Sequence, residues 1–234
     1  MMLRPSSINQ IALKYPYGFR VLATDPIGYW KLDETSGSVA HDSSGNGFNG
    51  TYIGATLSGG AFSNGDPCPS FDGNDFVNLY SAGLAAAFNP ALGSMMIWRK
   101  STNLVNAQKY YMKFAVNSSN WALLDNAGAA NRARGFYRAT ASQQQQLNYT
   151  QANWTQLIMT WNKASDRVKF YLAGVNNLTL TGLGVWAGSL AATLCGIGAD
   201  NTAGASGDIG LLSNGALWNK ELAQAEITSI LTPA

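Results

Sequence analysis

The stretch Gly28–Tyr52, GYWKLDETSGSVAHDSSGNGFNGTY, decides the fold class, because it runs strand, turn, polar loop and strand without a helix-period apolar face. Trp30 and Leu32 alternate with Lys31 and Asp33, the period of two that marks a half-buried strand. Asp42-Ser43-Ser44-Gly45-Asn46-Gly47 then gathers the residue types that favour a tight turn and that offer oxygen to a cation. The segment predicts an all-β chain with a specialised surface loop.

Outward from this segment the same signals recur. Strands are expected at Tyr29–Asp33, Gly50–Ile53, Ser70–Leu79, Met95–Arg99, Tyr110–Val116, Trp121–Leu124, Ala133–Thr140 and Trp154–Asn162, the last with Leu157, Met159 and Trp161 on one face. Val168, Phe170 and Leu172 alternate in RVKFYLAGV, and Lys163-Ala164-Ser165-Asp166 before them suits a hairpin loop. Short strands at this spacing, separated by Gly-rich turns, predict a two-sheet antiparallel sandwich. Only KELAQAEITSILTPA reads as helix, stopped by Pro233, and the tract Gln143–Gln146 reads as a solvated loop. Residues 1–24, with Pro5, Pro16 and three aromatics within Tyr15–Phe19, read as an N-terminal docking arm, and 25–234 as one domain.

Composition narrows the function. The chain has 234 residues, of which 46% are hydrophobic and only 12% charged, with a formal net charge of +2. A full core is available, while the field is too weak to recruit nucleic-acid backbones, and no stretch is apolar enough for a membrane helix. The opening MMLRPSSINQIALKYPYGF has no unbroken apolar segment of a secretory signal, so the five Asn-x-Ser/Thr sites read as an Asn- and Thr-rich surface rather than as glycosylation acceptors. Cys68 and Cys195 are expected as two unpaired, partly buried thiols.

Four ordered motifs, GYWKLDETSGSVAHDSSGNGFNGTY, FDGNDFVNL, NWTQLIMTWNKASDRVKFYLAGV and GALWNKELAQAEI, resemble the laminin-G-like, concanavalin-A-like jelly-roll domains in order and approximate spacing, from about residue 26 to residue 231. The resemblance implies a jelly-roll sandwich that binds carbohydrate or protein through its rim loops and often carries a structural calcium ion. Where that family has an acidic Asp-Glu pair, this chain has Ser213-Asn214, and Ala223 stands where many relatives cap the final helix with Ser or Thr.

For chemistry, Asp42 and Asn46, with Asp33 or Glu34, are the candidate Ca2+ ligands, against the reading that they only stabilise the turn. The three glutamates, Glu34, Glu221 and Glu226, show no paired-carboxylate pattern of a glycosidase, and the single His41 builds neither a zinc cluster nor a proton relay. The chain is therefore expected to be no enzyme. Trp30, Trp98, Trp154 and Trp161 sit in apolar alternation and read as packing; Trp121, Trp186 and the pair Phe136-Tyr137 lie in more polar or Gly-rich surroundings. Trp121, Tyr137 and Trp186 are thus the candidate ligand platform, while Arg132, Arg134 and Arg138 read as one face of a strand. The leading expectation is a virion surface protein, such as a bacteriophage capsid-decoration, head-fibre or tail-associated protein, attached to other virion proteins through the arm and oligomeric. The alternative is a carbohydrate-binding or adhesion module at a bacterial surface or outside the cell.

Overall fold

Trp30 and Leu32 are fully buried in the space between two sheets, while Lys31 and Asp33, which alternate with them, stay partly exposed. The computed structural model describes residues 16–101, 106–129, 131–148 and 153–233. The first sheet runs β14 (Val175–Leu180), β13 (Arg167–Leu172), β12 (Thr155–Asn162), β7 (Leu92–Ser101), β16 (Ile209–Trp218), β5 (Pro67–Asp72), β4 (Thr56–Ala61), with β1 (Gly28–Trp30) also paired to β16. The second runs β11 (Ala141–Asn148), β10 (Arg132–Ala139), β9 (Asn120–Asp125), β8 (Tyr110–Asn117), β15 (Cys195–Ile197), β6 (Phe76–Asn78), β3 (Gly50–Ile53), β2 (Val39–Ala40). Every ladder within the sheets is antiparallel, so the expected two-sheet sandwich is the architecture.

The stretch Ser70–Leu79, expected as one strand, is two strands in different sheets. Gly73 sits at φ +108°, a conformation L side chains rarely adopt, and the chain turns there from β5 to β6. Asp75 locks this turn by accepting the Asp72 N–H at 2.9 Å. The glutamine tract is likewise not a loop: it forms β11, the outer strand of the second sheet, in unbroken register with β10 from Arg132↔Asn148 to Ala139↔Ala141. Alternation of Ser142, Gln144 and Gln146 outward with Ala141, Gln143 and Gln145 inward is the same period of two, written in polar letters that carry no hydropathy signal. Two short helices were also hidden, α1 (Tyr17–Leu22) and α2 (Ala82–Ala87), the latter capped by Ser81 Oγ, which accepts the Leu84 N–H at 3.0 Å. The expected terminal helix is α3 (Gln224–Ser229), with Glu226 accepting the Ala223 N–H at 2.9 Å.

One core lies between the sheets and includes Trp30, Met95, Ile97, Phe114, Tyr137, Leu157, Met159, Trp161 and Phe170. A second covers the outer face of the first sheet, where Tyr29, Met96, Trp98, Ile158, Tyr171 and Trp218 meet Tyr17 and Val21 of α1 and Ile227 of α3. Polar groups pin this cover down. Trp98 Nε1 donates to Tyr17 Oη at 2.6 Å, Trp218 Nε1 to Thr24 Oγ1 at 3.0 Å and Arg20 to the Ser229 carbonyl at 2.7 Å, with a second bond to the Thr232 carbonyl. Burial pushes the Tyr17 hydroxyl well above the ordinary tyrosine range. Residues 1–15 of the expected arm lie outside the described residues; its remainder packs on the chain's own sheet. Cys68 and Cys195, one in each sheet, are buried and free, and burial pushes both thiols up to about 11.

Removing residues 1–24 uncovers Trp98 and Trp218 together. We expect the truncated chain to unfold at a markedly lower denaturant midpoint and to bind a hydrophobic dye while still folded. A midpoint unchanged from the full chain would mean that α1 does not support the sheet.

Candidate functional site

With the middle of the first sheet's outer face covered, large aromatic and charged side chains stand side by side, partly exposed, on the outward face of the second. In β10 the sequence RARGFYRA turns Ala133, Gly135, Tyr137 and Ala139 inward and leaves Arg132, Arg134, Phe136 and Arg138 outward. Gly135 is required on the inner side, since a Cβ there would lie 2.8 Å from the Phe170 ring. Register then sets the outward neighbours: Arg138 stands opposite Trp121, Phe136 opposite Leu123 and Arg134 opposite Asp125. On the far side of β9, Lys113 of β8 stands opposite Leu123.

The result is an interleaved row of rings and cations. Trp121 and Phe136 meet edge to face with centroids 5.4 Å apart. The Arg138 guanidinium lies 5.1 Å from the Trp121 ring, Lys113 Nζ 5.7 Å from the same ring and 5.3 Å from Tyr110, and Arg134 4.8 Å from Phe136. Two acids hold this row in place. Asp125, fully buried, accepts Arg134 Nε at 2.8 Å and the Ala127 N–H at 2.9 Å, with further bonds from Arg134 Nη2 and Gln108. Burial still pushes its carboxyl above the usual carboxylate range, against the opposing pull of Arg134. Asp200 accepts Lys113 Nζ at 2.5 Å, and burial with Asp200 alongside pushes the Tyr110 hydroxyl up to about 12. The Trp121 Nε1 and Arg138 Nε atoms are both buried, and neither has a hydrogen-bond partner among the described residues.

The candidate platform of Trp121, Tyr137 and Trp186 is divided by this geometry. Trp121 belongs to the outward row. Tyr137, one residue from Phe136, points the other way: it is 1% exposed, lies 6.0 Å from the Trp161 ring and donates its hydroxyl to the Pro90 carbonyl at 2.8 Å. Trp186 is half-buried over the same inner cluster, 5.5 Å from Phe88 and 5.9 Å from Tyr137, with Nε1 donating to the Gly188 carbonyl at 3.3 Å. Trp30, Trp98, Trp154 and Trp161 pack as expected, Trp154 donating to the Ala61 carbonyl at 3.1 Å. Lys113 and Tyr110, which sequence reading did not single out, join through the register of β8 alone.

The loop at Asp42–Gly47 is organised around one carboxylate. Asp42 Oδ1 accepts the Tyr29 and Ser44 N–H groups, and Oδ2 accepts Ser44 Oγ and the Phe48 N–H, all four at 2.9 Å. These bonds use the lone pairs that a Ca2+ ion would need. Asn46 spends its amide on the Ile27 carbonyl at 3.0 Å, and Asp33 pairs with Lys31 at 3.7 Å. Among the described residues no three His, Cys, Asp or Glu side chains gather as a metal set. The glutamates are equally engaged: Glu34 accepts Tyr52 Oη at 2.7 Å and the His41 N–H at 2.8 Å, Glu221 binds Arg167 at 2.7 Å and Lys169 at 3.2 Å, and Glu226 holds Lys220 at 2.7 Å.

No protein-family model matches the chain, and no curated protein matches it. Solved structures do. Domain 4 of AbnA, a GH43 extracellular arabinanase from Geobacillus stearothermophilus, solved in complex with arabinotriose, is similar with a TM-score of 0.67 at 16% identity, covering 89% of this chain and 98% of that one. The Trypanosoma rangeli sialidase in complex with sialic acid follows at 0.64 and 15%, covering 89% of this chain and 33% of that one. The botulinum neurotoxin serotype D binding domain stands at 0.58 and 14%, covering 88% and 51%. The chain thus spans the whole of the AbnA domain but about half and a third of the other two. At these identities the likeness is one of fold, an antiparallel β-sandwich.

Replacing Asp42 with Ala removes four hydrogen bonds from a charged acceptor. We expect a loss of about 3 kcal/mol, a fall of roughly 6–12 °C in melting temperature, with millimolar Ca2+ leaving the unsubstituted chain's melting temperature in place. A calcium-dependent rise that Asp42→Ala abolishes would instead make the loop a metal site.

Proposed function

We propose that the chain is a non-catalytic carbohydrate-binding module that holds a saccharide on the outward face of the second sheet, with Trp121 and Phe136 as the stacking platform. The observation that carries this reading is the aromatic and cationic row itself, set on a rigid sheet with Trp121, Phe136, Arg134 and Arg138 partly exposed, while helices pack on the opposite sheet. Sugar rings present apolar C–H faces, which lie well on indole and phenyl rings, and hydroxyls, which the flanking Arg, Lys and Gln side chains bind.

The AbnA domain, of the same extent as this chain and solved with arabinotriose, supports a saccharide ligand for a sandwich of this size. A virion attachment role, expected first from the sequence, draws no support from the structures that share the fold, and the module reading replaces it. A module of this kind works outside the cell or at its surface. No helix among the described residues is long and apolar enough to cross a membrane.

Trp121→Ala and Phe136→Ala are each expected to weaken saccharide binding at least tenfold, about 1.4 kcal/mol, in isothermal titration against the best ligand from a glycan array, with the fold retained by circular dichroism. Binding that survives both substitutions would move the site elsewhere; binding to no glycan at all would remove the reading.

A further inference from the structure

We infer that the saccharide held on this face carries an acid group, a carboxylate or a sulfate, and that Arg138 with Trp121 Nε1 receives it. The inference rests on the carbohydrate-binding reading above and adds the class of ligand.

The charges on the face do not cancel. Four cations stand on it, Arg132, Arg134, Arg138 and Lys113, against two acids, Asp125 and Asp200. Asp125 is taken by Arg134 and Asp200 by Lys113. Among the described residues Arg132 finds the neutral amide of Gln146, at 3.1 Å, and no acid. Among the described residues the Arg138 side chain has no ion pair and no hydrogen bond, only its approach to the Trp121 ring at 5.1 Å. In a chain with 12% charged residues, a cluster with uncompensated guanidinium groups is a local exception.

The second observation is independent of charge. Trp121 Nε1 and Arg138 Nε come from residues paired directly across β9 and β10, and both are buried donors without an acceptor. Buried donors are nearly always satisfied, and two orphans on directly paired residues leave two donors that an acceptor from outside the chain can take together. A carboxylate or sulfate is the group that fits: its oxygens accept from a guanidinium fork and from an adjacent indole N–H together. A neutral hydroxyl offers one oxygen and leaves the charge unmatched. As such a group arrives, the guanidinium swings off the indole to meet it, and the freed ring face takes the sugar. The aromatic pair beside the cation favours a sugar acid over a simple anion, because the ring supplies apolar contact that phosphate or sulfate alone cannot use.

Titration calorimetry at low ionic strength decides this, with trigalacturonate as the carboxylate source, a sulfated disaccharide as the sulfate source, arabinotriose as the neutral sugar and a single-stranded oligonucleotide as the competing polyanion. The expected result is at least tenfold tighter binding of one or both acidic sugars than of arabinotriose, a preference that falls with added salt and is lost in Arg138→Gln, while Arg138→Lys keeps part of it. Acidic and neutral sugars bound equally, and both lost in Trp121→Ala, would overturn the acid-group inference and leave the carbohydrate-binding reading in place. No sugar bound, or the oligonucleotide bound most tightly, would overturn both. Unchanged melting of each variant confirms that the readout is binding and not folding.

Discussion

The first sheet carries apolar side chains on both of its faces, and this single constraint sets the layout of the molecule. Its central strands β7, β12 and β16 are buried almost from end to end, with Met95, Ile97, Leu157 and Leu217 turned to the opposing sheet and Met96, Trp98, Ile158 and Trp218 turned away from it. A large side chain left in water costs about 1.5–3 kcal/mol relative to burial, so a bare outer face with two tryptophans would leave the sandwich without margin. The helices α1 and α3, from opposite ends of the chain, close it, and Arg20 joins them by donating to carbonyls of the C-terminal segment. With the middle of that face spent on stability, the partly exposed rings and cations of the described residues gather on β8, β9 and β10 of the other sheet.

Polar groups inside the sandwich are placed to hold the two sheets in one relation. Arg99 of β7 binds Asp208, just ahead of β16, with contacts of 2.7 to 3.1 Å, and its guanidinium lies 4.3 Å from the ring of Tyr111 on the second sheet. Both charged groups are almost completely buried, so each is tolerable only while the other is present. A second joint sits at Ser213-Asn214, where β16 slips register against β7 and Asn214 takes φ +55°. Ser213 Oγ donates to the Lys31 carbonyl at 3.2 Å, the Asn214 N–H to the same carbonyl at 3.0 Å, and Tyr29 Oη to Asn214 Oδ1. Where the jelly-roll domains this chain resembles have two acids, two neutral side chains tie β1 to β16.

How well the fold can be read from the sequence depends on which faces of a strand are wet. Gly50–Ile53 and the strand around Arg132 alternate visibly because one face meets water, and their bounds fall within about two residues of the pattern, as do those of the strands around Tyr110 and Trp121, which are buried on both faces and read instead as short apolar runs. Thr56–Ala61 was invisible, since Gly59 and Gly60 lie in it to let Ser70 and Leu211 approach, not to signal a strand. Helix α1 was hidden for a different reason: six residues behind a proline carry too little periodicity, and only the uncovered tryptophans of the first sheet explain why YGFRVL should bend onto them.

The candidate site is legible only in part because one residue of register exchanges the two faces of a strand. Phe136 and Tyr137 look equivalent in sequence, yet Ala133, Gly135 and Ala139 are too small to fill the core, and the large ring that shares their parity must go inward beneath Phe170 and Trp161. That assigns Tyr137 to packing and Phe136 to the surface, and it carries all three arginines outward with Phe136. The same parity fixes Trp121 opposite Arg138, so the pairing of a lone guanidinium with an indole follows from strand register rather than from any local motif. Asp125 then makes the face rigid: buried beneath the row and bonded to Arg134, Gln108 and the backbone beyond β9, it removes the freedom that long side chains would otherwise lose on binding. Arg138, which has no such anchor among the described residues, can still move to a ligand.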